Sequence, residues 1–164
     1  MEEFITSYGL EFPVFREKMI AGAAIVAGSS ALALYLKQEG VEPGFSPNDM
    51  DIFITSPVEL GESCRFISFL NHKVVGQLAY FFIRSGYNVT RTHEQKEQKE
   101  QKENHYENVN GITCILCFEH PFLKTTIQLI CLRANDVVQA IQESFDLTAC
   151  MTWWDPSLNR MQTR

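Results

Sequence analysis

No apolar run in this sequence approaches the roughly 20 residues that a membrane-spanning helix needs. Cysteine is sparse: five residues, an odd number with no framework spacing, which argues for a reducing compartment over a disulfide-stapled secreted domain. Basic residues are outnumbered, with 14 Lys and Arg against 20 Asp and Glu and a net charge of −6. That balance excludes the broad basic face on which sequence-independent DNA binding depends, though not a local basic groove. The N-terminal Met1-Glu-Glu-Phe4 is acidic and lacks a signal-peptide pattern. The four histidines, His72, His93, His105 and His120, form no i, i+4 ligand pair. No Ser/His/Asp or Cys/His arrangement can be assembled either. The expectation is an intracellular, cytoplasmic protein that does not use the membrane.

What is present is core-forming material. The chain has 164 residues, 45% of them apolar, with twelve phenylalanines, enough for one folded domain around one core. Residues 1–18 read as a lead-in whose Phe4, Tyr8, Leu10, Phe12 and Phe15 pack on that core, with Pro13 breaking the segment. Residues 19–28 are small and apolar, the end of a helix running into a buried strand. Residues 30–38 have helical spacing, with Gly40 suited to the stop. Residues 49–55 read as a strand. Residues 63–85 carry a long amphipathic stripe (Phe66, Phe69, Leu70, Val74, Leu78, Phe81, Phe82) that ends at Gly86. Residues 87–92 read as a strand, and 111–119 and 124–132 as adjacent antiparallel strands. Residues 135–145 read as a short helix capped by Asn135 or Asp136, and 147–154 as a strand stopped by Pro156. The sum is an α/β (α+β) domain over 1–164, a mixed sheet covered by helices. Residues 93–104 repeat Glu-Gln-Lys, are polar throughout, and read as an exposed insertion that could be deleted at little cost. Cys114 and Cys117 fall at i, i+3 in a strand, so they face opposite ways and read as core cysteines, not a shared ligand pair. Trp153 and Trp154 read as a packed strand end.

The stretch with chemical content runs from Ile25 to Ile54. An apolar run, Ile25-Val-Ala27, ends in Gly28-Ser29-Ser30, and a helical segment follows. Then Asn48-Asp-Met-Asp-Ile-Phe-Ile54 carries two aspartates at i, i+2. In a strand these share a face, with their β-carbons roughly 6–7 Å apart. Mg²⁺ is typically bound by one or two carboxylates together with substrate phosphates. The free N–H groups of a helix start suit a phosphate.

In this order, the two halves resemble the nucleotidyltransferase superfamily of the DNA polymerase β type, which carries a Gly-Ser turn, a helix and a strand with Asp-x-Asp. The likeness covers about 30 residues well and the remainder in outline. The segment 39–47 lengthens the gap between the two motifs beyond the family's usual spacing. Ile127-Gln-Leu-Ile130, a helix and Phe145-Asp-Leu-Thr148 resemble a divergent, largely viral and phage-associated branch. The resemblance implies a nucleotidyltransferase-like fold and a Mg²⁺-dependent (or Mn²⁺-dependent) transfer of a nucleotidyl group from a nucleoside triphosphate. Its acceptor hydroxyl is open between RNA, protein and a small molecule. It implies that Gly28 and Ser29 hold the triphosphate, Ser30 adds a hydroxyl, and Asp49 and Asp51 bind metal. The superfamily's third carboxylate would fall on the strand that here carries the neutral Gln128. Asp146, between the last helix and the last strand, and secondarily Glu119 are the acids that could replace it, with Asp146 as the third catalytic residue. The other expectation is a catalytically silent module that binds a nucleotide or a protein partner. A virus-encoded protein acting in a host cell fits either.

Overall fold

The computed structural model describes residues 1–55, 73–94, 111–144 and 151–164, with the backbone alone at 91–94 and 144. The described strands are β1 Ile25–Ala27, β2 Asp49–Thr55, β3 Asn88–Glu94, β4 Ile112–Glu119, β5 Thr126–Leu132, β6 Thr152–Asp155 and β7 Arg160–Thr163. They form one sheet in the order β3-β4-β5-β2-β1-β6-β7, which puts β2 at its centre. β2 and β5 run parallel, Asp49 opposite Thr126 and Asp51 opposite Gln128. The other neighbours are antiparallel.

Strand alternation sorts the side chains into two cores. On one face Met50, Ile52 and Ile54 of β2 join Leu116, Phe118, Leu129 and Trp154. Helices α1 Glu2–Ser7, α2 Phe12–Ala21 and α4 Lys73–Arg84 add Ile5, Phe15, Met19, Leu78 and Phe82 to it. α4 buries Val75, Leu78, Ala79 and Phe82, the i, i+3, i+4, i+7 stripe of an amphipathic helix. On the other face Phe53, Ile115, Ile130 and Leu132 pack under Val137 and Ile141 of helix α5 Val137–Ser144. Asp136 caps α5, its Oδ1 accepting the Gln139 N–H at 2.7 Å. Cys114 lies in the first core and Cys117 in the second, on opposite sides of the sheet as their spacing requires.

Several expectations need correcting. Pro13 does not break the lead-in. It sits in the first turn of α2, where a missing N–H costs nothing and the fixed φ suits the helix. The polar insertion starts later than 93, because His93 and Glu94 continue β3 against Ile115 and Cys114. Residues 95–104 lie outside the described residues, as do 63–72 of the long helical stretch. β6 ends at Asp155, just before Pro156 as expected, but a strand that was not expected follows it. Asp155 Oδ1 accepts the N–H groups of Ser157 and Leu158 at 2.8 and 3.2 Å, Asn159 takes a left-handed φ of 50°, and β7 returns along β6.

Candidate functional site

The site lies at the end of the sheet where β2 and β5 begin. Asp49 and Asp51 are first and third in β2. By alternation they share a face with Phe53, which is already under α5. Asp49, at the strand start, is half-buried, and its Oδ2 accepts a 2.6 Å hydrogen bond from Gln128 Nε2 across the parallel pair. Burial pushes the Asp49 carboxyl above its ordinary value of 3.8, while the Gln128 hydrogen bond and one from its own backbone N–H pull it back down. Asp51 is only 3% exposed.

Helix α3, Gly28–Gln38, starts directly over Asp51. Ala27 is the register partner of Asp51, and Gly28 follows with φ +78°. A β-carbon on Gly28 would stand 2.5 Å from Asp51 Oδ2. Glycine is needed here twice: for the left-handed backbone and for the close approach of the carboxylate. Ser29 is exposed in the first turn of α3, whereas Ser30 is 1% exposed. The Ser30 hydroxyl donates to the carbonyl oxygen of Asp49. It ties the helix start to β2, which leaves Ser29 as the outward-facing hydroxyl of the pair.

Tyr8 and Tyr87 belong to this architecture, and sequence reasoning missed both roles. Burial pushes the Tyr8 phenol up to about 12. The Ser30 hydrogen bond opposes that shift, and Tyr87, Asp49 and Asp51 add to it. Tyr8 is therefore a neutral phenol at physiological pH. The Tyr87 hydroxyl donates to the Tyr8 carbonyl at 2.7 Å and lies 2.7 Å from Thr125 Oγ1. It links the N-terminal helix to the turn that precedes β5. Tyr87→Phe leaves that carbonyl and hydroxyl without their shared partner. It is expected to cost about 1–2 kcal/mol, read as a melting temperature lower by roughly 2–8 °C.

Among the described residues, no cluster of three or more His, Cys, Asp or Glu side chains could hold a metal ion. Asp49 and Asp51 stand as a pair, with the neutral Gln128 opposite Asp51. Such a pair suits an ion that arrives with phosphate ligands of its own, not one held by protein alone. Asp146 lies outside the described residues. Glu119 is exposed and ends β4 on the same face as Asp49, with Thr126 of β5 between them in register.

A family model described as "Gabija anti-defense 2 family protein" (Gad2) matches residues 6–163. The chain belongs to the Gad2 family. No curated protein and no solved structure matches it. The Gad2 match takes in every residue of the site, Tyr8, Gly28, Ser29, Asp49, Asp51 and Gln128 among them. No helix among the described residues is long and apolar enough to cross a membrane.

Proposed function

We propose that this Gad2 chain is a Mg²⁺-dependent nucleotidyltransferase of the DNA polymerase β type, used against the Gabija system inside a host cell. The observation that carries the reading is the seating of the Asp51 carboxylate under the glycine that opens α3. A helix start bearing an outward Ser29 and two same-face carboxylates then meet at one point. The free N–H groups of the first turn suit the phosphates of a nucleoside triphosphate. Asp49 and Asp51 would hold Mg²⁺ (or Mn²⁺), which supplies charge neutralisation to the triphosphate and its leaving pyrophosphate. Gly28 lets the chain approach closely, Ser29 hydrogen-bonds the phosphates, and Ser30 and Tyr8 fix the helix start relative to β2.

Gln128 favours a second reading, a nucleotide-binding or protein-binding module without catalysis. An amide cannot replace the third carboxylate of the resembled superfamily, and among the described residues no third acid joins the pair. The test is equilibrium binding of each of the four nucleoside triphosphates with and without Mg²⁺. Mg²⁺-dependent binding is expected, and a ligand at about 100 times its Kd adds about 2.7 kcal/mol to stability. Release of pyrophosphate with an α-phosphate-labelled product marks the enzyme. Binding without release marks the nucleotide module. Absence of Mg²⁺-dependent binding for all four sinks both nucleotide readings and leaves a protein-binding module.

A further inference from the structure

The cross-strand register extends the site beyond the carboxylate pair. Asn88, Glu119, Thr126 and Asp49 are successive register partners on β3, β4, β5 and β2, so their side chains line one row of one face. A cleft of about 380 Å³ opens on the outer part of that row, walled by Asn88, Thr90, Glu119, Lys124, Thr125 and Thr126. Thr126 is both its inner wall and the direct neighbour of Asp49. Glu119 stands two strand spacings from Asp49, about 9–10 Å between β-carbons. That is too far to share its ion and the right distance to hold a second molecule beside it.

The cleft has a rigid outer wall. His120 Nδ1 accepts the N–H groups of Phe122 and Leu123 at 3.2 and 3.1 Å. The same turn is closed by backbone bonds from His120 N to Thr125 O and from Lys124 N to His120 O, at 3.0 and 3.2 Å. The His120 ring stands edge-on against Tyr87. At the tip of this fixed turn Phe122 is 87% exposed.

We infer that this cleft receives the acceptor and that the acceptor is a protein side-chain hydroxyl, with Phe122 as the docking contact for the segment that carries it. This rests on the triphosphate-transfer reading of Asp49 and Asp51. The charges decide against a nucleic acid end. Nucleic acid binding is dominated by cationic contacts to phosphates, and among the described residues the cleft offers one lysine, Lys124, offset by Glu119 in the same wall, with Asp49 next to Thr126 beyond it. An exposed aromatic on a hydrogen-bonded turn, next to a polar cleft whose lysine and glutamate balance, is instead the make-up of a protein contact. In the transfer the acceptor oxygen bonds to the α-phosphorus and the α–β bridging P–O bond breaks. Pyrophosphate leaves, and the hydroxyl proton passes to water. Glu119 accepts a hydrogen bond from the docked segment and positions it.

The experiment uses the full chain, nucleoside triphosphates labelled at the α-phosphate, and three acceptor probes. These are purified Gabija components, a degenerate peptide library with Ser, Thr or Tyr fixed at its centre, and single-stranded RNA. Mg²⁺-triphosphate binding is measured alongside for the unmutated chain, Asp51→Asn, Glu119→Gln and Phe122→Asp. Label on protein or peptide, with kcat/KM for that acceptor lowered about tenfold or more by both cleft variants and triphosphate Kd unchanged, is the expected result. Label on RNA alone overturns the acceptor class. Label on protein that neither cleft variant reduces overturns the location. No label on any probe, with Asp51-dependent triphosphate binding intact, overturns the acceptor assignment and leaves nucleotide binding standing. Loss of triphosphate binding in the unmutated chain removes the reading beneath it, and this assignment falls with it.

Discussion

Asp51→Asn is expected to remove Mg²⁺-dependent triphosphate binding and to lower nucleotidyl transfer by roughly 10²–10⁴-fold. A carboxylate–metal contact at a developing phosphoryl charge is worth several kcal/mol, and each 1.36 kcal/mol is a factor of ten. Asp49→Asn is expected to do the same to function but to differ in stability. The Asp49 carboxyl sits above its ordinary 3.8 because burial penalises the charge. A carboxyl whose folded value is raised contributes stability that is fully present below the unfolded value and lost as pH rises through the folded value. At neutral pH the unliganded protein therefore carries an unfavourable charge at Asp49. Asp49→Asn keeps an acceptor for Gln128 and removes that charge, so its melting temperature at pH 7 should equal or exceed that of the unmutated chain. The stabilisation conferred by Mg²⁺ and triphosphate should grow as pH rises through the raised Asp49 value in the unmutated protein, because the cation offsets the same charge. Thermal melts from pH 4 to 8, with and without ligand, give both quantities. A melting temperature for Asp49→Asn well below the unmutated value at pH 7 would contradict the account of its burial.

Gly28→Ala is expected to destabilise the fold by roughly 2–5 kcal/mol, combining left-handed backbone strain with overpacking. Gly40→Ala isolates the first term. Gly40 has nearly the same φ, +75° against +78°, but nothing lies within 4 Å of a β-carbon there, whereas Asp51 Oδ2 lies 2.5 Å from one at Gly28. The Gly40 variant should cost about 1 kcal/mol and leave triphosphate binding unchanged. The Gly28 variant should cost several times more and also weaken binding, since the clash is relieved by turning the Asp51 carboxylate away. Chemical denaturation of the two proteins side by side separates the terms. Equal losses would mean that the contact between α3 and Asp51 is looser than the geometry indicates.

The sheet was legible where local periodicity decides the outcome. Residues 49–55 are a short, largely apolar run with two aspartates at i, i+2, and β2 spans Asp49–Thr55 with both on one face. Asp136 is a good cap followed by a good helical stripe, and α5 starts after it. Cys114 and Cys117 could be separated by arithmetic alone. Gln128 was set beside the aspartates by the superfamily resemblance, whose third carboxylate falls on that strand, and β5 does place it opposite Asp51. Less was legible where a side chain acts across the fold. Ser29 and Ser30 are indistinguishable in composition, and only the helix phase over β2 decides that Ser30 turns in to Asp49 while Ser29 turns out. Tyr8 looked like one more core aromatic of a lead-in, yet its phenol meets Ser30 at the site. Pro13 was misread because a proline in a first helical turn has the same local signature as a break. β7 was missed because the turn that makes it, with Asp155 holding two backbone N–H groups, follows a proline that reads as a stop.

Two bonds that hold the site together join residues 79 positions apart: Gln128 to Asp49 and Tyr87 to Tyr8. Contacts so distant in sequence demand their loop-closure entropy before they return anything, which makes them late events in folding. A ribosome adding about 5–20 residues per second needs roughly 4–16 s to pass from Asp49 to Gln128. During that interval the nascent chain has β1 and β2, which can pair, but no β5 for the parallel side of β2. The carboxylates are made early, and the strand that carries their amide partner is made late. The site therefore cannot be completed until β5 has been made, and a chain released before Gln128 carries the Gly-Ser-Ser turn and both aspartates without the neighbour that sets their positions.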